Sequence, residues 1–196
     1  MIPFFFSMIL AYLLGSISPS YLLGKLLKGI DLREHGSGNV GATNAFRILG
    51  KGAGIAVLLF DIGKGFFAIQ GLGGFFEAHF TLPMDLLLYR ILIGLSVIAG
   101  HNWTLFLKFK GGKGVATSFG VFLAIAPFAV ILAASLWLLV TLLTRKVALG
   151  SLSAALFAPF VMIFLHYPFW VVIFGFLMTL GIFYTHRSNL RKIFLK

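Results

Sequence analysis

Long apolar runs separated by short polar stretches set the pattern of this chain, and residues 3–23, 52–76, 86–99, 115–144, 149–165 and 168–184 carry almost no charge. Such runs approach the ~20 residues a helix needs to cross about 30 Å of hydrocarbon. The pattern predicts an all-α integral membrane protein. The run 115–144 decides the topology: as one helix it would set Arg145 and Lys146 on the opposite side from Lys108, Lys110 and Lys113. Proline removes a backbone donor and clashes with the preceding turn, so Pro127 is a reasonable break. Split there, the chain has seven transmembrane helices. Two of them are half-length, about 22 Å each at 1.5 Å per residue.

Charge then orients the bundle. With the split, Lys25, Lys28, Arg33, Arg47, Lys51, Lys108, Lys110, Lys113, Arg145, Lys146, Arg187, Arg191, Lys192 and Lys196 fall on one side. Only Lys64 and Arg90 of the 16 Lys and Arg lie elsewhere. The opposite loops carry Glu77, His79, Asp85 and His166. Basic residues gather on the cytoplasmic side, so the N-terminus is expected outside, the C-terminus inside and the polar loops together on the cytoplasmic face.

Composition agrees. Hydrophobic residues make up 60% of the 196, against about 45–50% in soluble domains, so residues 1–196 are read as a single membrane-embedded domain. The start lacks a basic leader and a small-residue cleavage site and is read as a retained first span. The absence of cysteine excludes disulfides and thiolate catalysis. A net charge of +11 against only Asp31, Glu34, Asp61, Glu77 and Asp85 is, on a membrane protein, often only the topology signal plus attraction to anionic lipid. Glycines inside the spans (Gly63, Gly65, Gly71, Gly73 and Gly74) are expected to let helices approach closely.

Three polar stretches carry the candidate chemistry. GSGNVGATNAFR (36–47) interleaves Gly36, Gly38 and Gly41 with Ser37, Asn39, Thr43 and Asn44, and ends on Arg47. That composition makes a loop whose N–H groups can face a ligand, with a bidentate phosphate donor at its end. KFKGGKGVATS (108–118) sets Lys113 between Gly111, Gly112 and Gly114 and feeds Thr117 and Ser118 into a helix start, where anions are favoured. It is not a Walker A loop, because Gly114 and not a hydroxyl residue follows the lysine, so ATP hydrolysis is not expected. HRSNLRK (186–192) brings His186 and Asn189 to one helix face. Ser151, after Gly150, faces the same side. Asp61 and Lys64, three apart inside a span, read as a paired structural brace.

Absences narrow the chemistry. No histidine is followed five residues later by aspartate, the pair used in acyl-thioester transfer, and no His/Glu or paired-acid cluster offers a metal site.

At these stretches the chain resembles the bacterial acyl-phosphate:glycerol-3-phosphate acyltransferase family. The 36–47 loop, the GH…FKGGKGVAT segment from Gly100, and HRSN…R match family motifs in order and spacing, as do DIGKG at Asp61 and the Ser151 region. One departure is RKVALGS (145–151), where the family more often has Tyr after the Arg and Ser before the Leu. The resemblance implies seven helices in a bacterial inner membrane with a cytoplasmic site. It implies acyl transfer from acyl-phosphate to the 1-hydroxyl of glycerol 3-phosphate, giving lysophosphatidic acid and phosphate. Ser37, Arg47, Lys113, His186 and Asn189 would be the catalytic residues. Gly38, Asn39, Gly41, Thr43, Asn44, Gly111, Gly112, Gly114, Thr117 and Ser151 would bind substrate. The family's substrate-assisted proton transfer implies no covalent intermediate, and neither metal nor cofactor is expected. The partners are two phosphate substrates and membrane lipid, not nucleic acid.

The residues support that chemistry on their own terms. Acyl phosphate is already activated, so what remains is to position two anions and stabilise the leaving charge. A carrier for phosphate esters is the alternative, but carriers place polar groups at the midplane and show internal repeats. Here only Asp61 and Lys64 lie deep.

Overall fold

The computed structural model describes residues 1–194, with side-chain surroundings through Arg191. Lys196, counted above among the cytoplasmic cations, lies outside the described residues, as does the side chain of Lys192. The described residues form helices and no strand. In order these are α1 (Ile2–Ser16), α2 (Pro19–Lys28), α3 (Ala42–Leu49), α4 (Lys51–Phe67), α5 (Gly74–His79), α6 (Leu86–Asn102), α7 (Val115–Ile125), α8 (Pro127–Thr144), α9 (Val147–Phe164), α10 (Phe169–Thr185) and α11 (Arg187–Phe194). A π-helical stretch, Ala68–Gly73, joins α4 to α5 without a break in the span.

Five stretches are long and apolar enough to cross a membrane: Ile2–Lys28, Lys51–His79, Leu86–Leu107, Pro127–Thr144 and Val147–Phe164. Two shorter apolar helices, α7 and α10, occupy the other expected positions. Pro127 does interrupt the long run: α7 stops at Ile125, and the proline opens α8 after a non-helical Ala126 (φ −140°, ψ 61°). The halves are not equal, however. With 11 residues, α7 is about 16 Å long, whereas α8, with 18, is about 27 Å at 1.5 Å per residue. The first span also differs from the continuous run expected, because Pro19 breaks it after Ser16.

The chain divides into two compact units, the first Met1–Val121 and the second starting at Phe122. In the first, α1 and α6 cross where each presents a glycine to the other's backbone: a Cβ at Gly15 would run into the Val97 carbonyl, and one at Gly100 into the Tyr12 carbonyl. The same device joins α4 to α7 through Gly65 and Gly120. Of the span glycines singled out from sequence, Gly65 is the one at such a crossing. Gly63 and Gly74 face open space.

Proline leaves a carbonyl four residues back without its helical donor, and hydrocarbon offers no water to replace it. For Pro19 that carbonyl belongs to Gly15, and Lys64 Nζ of α4 donates to it at 2.9 Å and to the Ile17 carbonyl at 2.8 Å. Thr104 Oγ1 donates to the neighbouring Ser16 carbonyl at 2.6 Å. In the second unit Pro159 sits inside α9 and leaves the Ala155 carbonyl open; Thr179 Oγ1 of α10 donates to it at 2.6 Å. Phe122 and Phe174 add a ring contact with centroids 4.7 Å apart.

This repair is testable. Thr179→Val keeps the shape and leaves the carbonyl orphaned, which should cost about 1–3 kcal/mol. In a Pro159→Ala background the helix supplies its own N–H, and the same substitution should cost well under half as much. Thermal unfolding in detergent of the two single variants and the double variant measures the difference; equal costs in both backgrounds would contradict the pairing.

Candidate active site

The first polar stretch lies between α2 and α4. Helix α2 ends in a left-handed Gly29 (φ 66°), with the Ile30 N–H reaching back to the Gly24 carbonyl at 3.2 Å. A short 3₁₀ turn, Leu32–Glu34, follows. Here Arg33 grips Asp31 through Nε and Nη2, the latter at 2.6 Å, and its Nη1 reaches the Leu107 carbonyl at 3.4 Å. Hydrogen bonding from Arg33 lowers the Asp31 pKa to about 2, so the pair stays ionised at neutral pH. It ties the first polar stretch to the second.

Asn44 organises the loop itself. It is buried, and its Oδ1 accepts the Ser37 N–H at 2.9 Å while Nδ2 donates to the carbonyls of His35 (2.9 Å) and Leu32 (3.2 Å). A residue read from sequence as a substrate ligand thus has both ends of its amide engaged by its own loop. Around it Ser37, Gly38 and Thr43 are exposed, and Asn39 and Gly41 are half-buried. Arg47, in the last turn of α3, is exposed and holds no ion pair among the described residues. Lys28 Nζ donates to the neighbouring Ile48 carbonyl at 2.6 Å.

The second stretch is seated on the end of α6. The N–H of Gly111 donates to the Asn102 carbonyl at 3.1 Å and that of Gly112 to the His101 carbonyl at 3.0 Å. These two N–H groups therefore shape the turn. The donors left to face an anion belong to the start of α7, where the Val115 and Ala116 N–H groups have no backbone acceptor. Gly114 takes a left-handed conformation (φ 80°) to aim the chain into that helix. Lys113 is half-buried between the glycines. Thr117 and Ser118 are buried, and their hydroxyls have no hydrogen-bond partner in the described structure.

Behind this turn lies a buried charge cluster. Lys64 Nζ pairs with Asp61 Oδ1 at 2.9 Å, as the three-residue spacing predicts, and the same oxygen lies 3.3 Å from His101 Nδ1. With the carbonyls of Gly15 and Ile17, Lys64 has a partner for each ammonium hydrogen. Sequence spacing did not reveal His101. Its mark in the sequence is its place as the histidine of the GH…FKGGKGVAT segment, ten residues before Gly111.

The remaining candidates belong to the second unit. Ser151 of α9 is buried, donating to the Val147 carbonyl at 3.0 Å and accepting from Trp137 Nε1 at 3.3 Å. His186 caps α10 and is buried. Its Nδ1 lies 2.9 Å from the Ile182 carbonyl. A carbonyl only accepts, so Nδ1 carries a proton and Nε2 is the basic nitrogen of the neutral ring. The Asn189 N–H donates to the His186 carbonyl at 2.8 Å, which places both residues on one continuing helical turn.

A family model described as glycerol-3-phosphate acyltransferase matches residues 5–196. A glycerol-3-phosphate acyltransferase of Chlorobaculum tepidum is 40% identical over 219 residues, covering 99% of this chain and 94% of that one. Glycerol-3-phosphate acyltransferase 2 of Moorella thermoacetica is 42% identical over 190 residues, covering 95% and 92%. A crystal structure of PlsY, an integral membrane glycerol 3-phosphate acyltransferase in its glycerol 3-phosphate form, superposes with a TM-score of 0.85 at 37% identity, covering 97% of this chain and 91% of that one. Its lysophosphatidic acid form gives 0.83 over the same shares.

Removing either Arg47 or Lys113 should weaken phosphate binding. Charged hydrogen bonds are worth about 1.5–3 kcal/mol, so Arg47→Ala and Lys113→Ala should each raise the KM for a phosphate substrate roughly tenfold to a hundredfold. Steady-state kinetics on correctly folded variants in lipid decide it, and unchanged KM values would remove those residues from the site.

Proposed function

The chain belongs to the glycerol-3-phosphate acyltransferase family, and from that premise we propose that it transfers an acyl group from acyl-phosphate to the 1-hydroxyl of glycerol 3-phosphate, releasing lysophosphatidic acid and phosphate. It is an integral membrane acyltransferase. Its seven apolar helices all cross or enter a bacterial inner membrane as one domain, the N-terminus is outside, and the polar stretches work at the cytoplasmic face. Ser37, Arg47, Lys113, His186 and Asn189 are its reacting and anchoring residues. Gly38, Asn39, Gly41, Thr43, Gly114, Thr117 and Ser151 contribute to substrate binding, and Asn44, Gly111 and Gly112 do so by shaping their loops.

The observation that carries this reading is the seated 111–114 turn, with Lys113 upon it and the open N–H groups of α7 beside it. That arrangement holds a phosphate and stabilises it as a leaving group. Four of the five carboxylates are otherwise engaged: Asp31 by Arg33, Asp61 by Lys64, Glu77 by Arg90 at 2.7 Å, and Asp85 as the N-cap of α6. The fifth, Glu34, is exposed in the short turn ahead of the 36–47 loop. The four engaged groups are not at hand as a general base, which favours a substrate phosphate oxygen as the proton acceptor. The two forms in which the structural relative was solved, with glycerol 3-phosphate and with lysophosphatidic acid, are the substrate and product this reaction requires.

The donor tests the proposal. Purified protein in lipid, given labelled glycerol 3-phosphate, should make lysophosphatidic acid with acyl-phosphate and not with acyl-CoA or acyl-carrier protein. Excess chelator should leave the rate unchanged. His186→Ala should lose less than the ~10²–10⁴-fold typical of a lost general base. Efficient turnover with acyl-CoA, or loss of activity on chelation, would contradict the mechanism.

A further inference from the structure

The buried cluster behind the glycine turn has no part in the chemistry proposed above, yet it sits directly under that turn. His101 closes α6, and its main-chain carbonyl accepts the Gly112 N–H at 3.0 Å. Its side chain bears on the same residue, for a Cβ at Gly112 would overlap the ring at Nε2, with Cε1 next nearest at 2.9 Å. The other ring nitrogen faces Asp61 Oδ1 at 3.3 Å, and that carboxylate is held by Lys64 at 2.9 Å. Asp61 and Lys64 are almost wholly buried, with side chains 1% exposed. Lys64 is itself fixed by the Gly15 and Ile17 carbonyls at the break in the first span. A line of short polar contacts therefore runs from that break through two charges and one imidazole to Gly112.

We propose that His101 is a positioning residue for substrate phosphate: Asp61 and Lys64 lock its ring, and the ring is the floor on which Gly112 seats the 111–114 turn. The proposal rests on the reading that this turn holds a substrate phosphate. His101 touches neither substrate nor reacting atoms in this account. It acts through the turn, by setting where Lys113 and the first N–H groups of α7 stand. Because Gly112 is pressed against the ring, the pair behaves as a matched set of sizes, in which a methyl on one side demands room on the other.

A double-mutant cycle tests this. His101→Asn keeps a donor where Nδ1 faces Asp61 and removes the far edge of the ring, so the cluster stays paired and the protein folds. Gly112→Ala adds the methyl that the ring excludes. Each single variant should raise the KM for glycerol 3-phosphate or acyl-phosphate about tenfold while kcat changes less than threefold, since a displaced turn weakens the hold on phosphate. The double variant should be no worse than either single one, because the methyl occupies the space the ring edge has left. Lys113→Ala, measured alongside, reports on the site itself. Additive effects in the double variant, or unchanged KM in both single variants while Lys113→Ala raises it, would overturn the positioning role and leave the phosphate site standing. Unchanged KM in Lys113→Ala as well would overturn the phosphate site and this proposal with it.

Discussion

The ammonium of Lys64 is the contact on which the first unit depends. Hydrocarbon cannot solvate a charge or an open carbonyl, so a broken helix at membrane depth must be repaired by its neighbours. Pro19 breaks the first span, and Lys64 fills the gap at Gly15 and Ile17 while pairing with Asp61. Each partner thereby removes the desolvation penalty of another. Losing any one would leave an uncompensated buried charge, a change that commonly costs about 3–5 kcal/mol. Three helices are joined at this point, with α1 supplying carbonyls, α4 the charges and α6 the imidazole. The glycine crossings of α1 with α6 and of α4 with α7 bring those backbones close enough for the short side-chain contacts to form.

The same repair recurs between α9 and α10, where Thr179 reaches the carbonyl that Pro159 leaves open. Proline thus bends spans in both units without leaving an unpaired acceptor at those points. What differs is the donor. A hydroxyl suffices where the gap is one carbonyl, whereas the break after Ser16 opens several at once and recruits Lys64, Thr104 and, through Asp61, His101.

Much of this was legible along the chain, and for a physical reason. Span length and the segregation of basic residues are set by the bilayer itself, so the apolar runs lie within a few residues of the helices, and Pro127 divides α7 from α8 as expected. The pairing of Asp61 with Lys64 was legible because a three-residue helical spacing leaves little choice. Contacts between distant segments were not. Pro19 lies inside an apolar run that looks continuous, since nothing local shows that Lys64 will satisfy the break. Asn44 reads as a ligand because its loop is rich in hydrogen-bonding side chains, yet the backbone of residues 32–37 takes up its amide. The glycines of the second stretch read as a cradle of N–H groups. Gly111 and Gly112 instead spend theirs on α6, and the open donors pass to the helix that follows. Residue types in a loop say which groups it carries, but which of their atoms stay open is decided by tertiary hydrogen bonds.

Two roles are thus divided within one stretch: glycines held from beneath give the turn its shape, and Lys113 with the start of α7 gives it its charge and donors. Amide hydrogen exchange resolved at single residues, with and without saturating glycerol 3-phosphate and inorganic phosphate, reads that separation most directly. Gly111 and Gly112 should exchange slowly in the ligand-free protein, because their N–H groups already bond to α6, and should change little on addition. Val115 and Ala116 should exchange fast without ligand and slow markedly with it. Rapid exchange at Gly111 and Gly112 that slows only when phosphate is added would show that the turn is built by its ligand and not by the buried cluster beneath it.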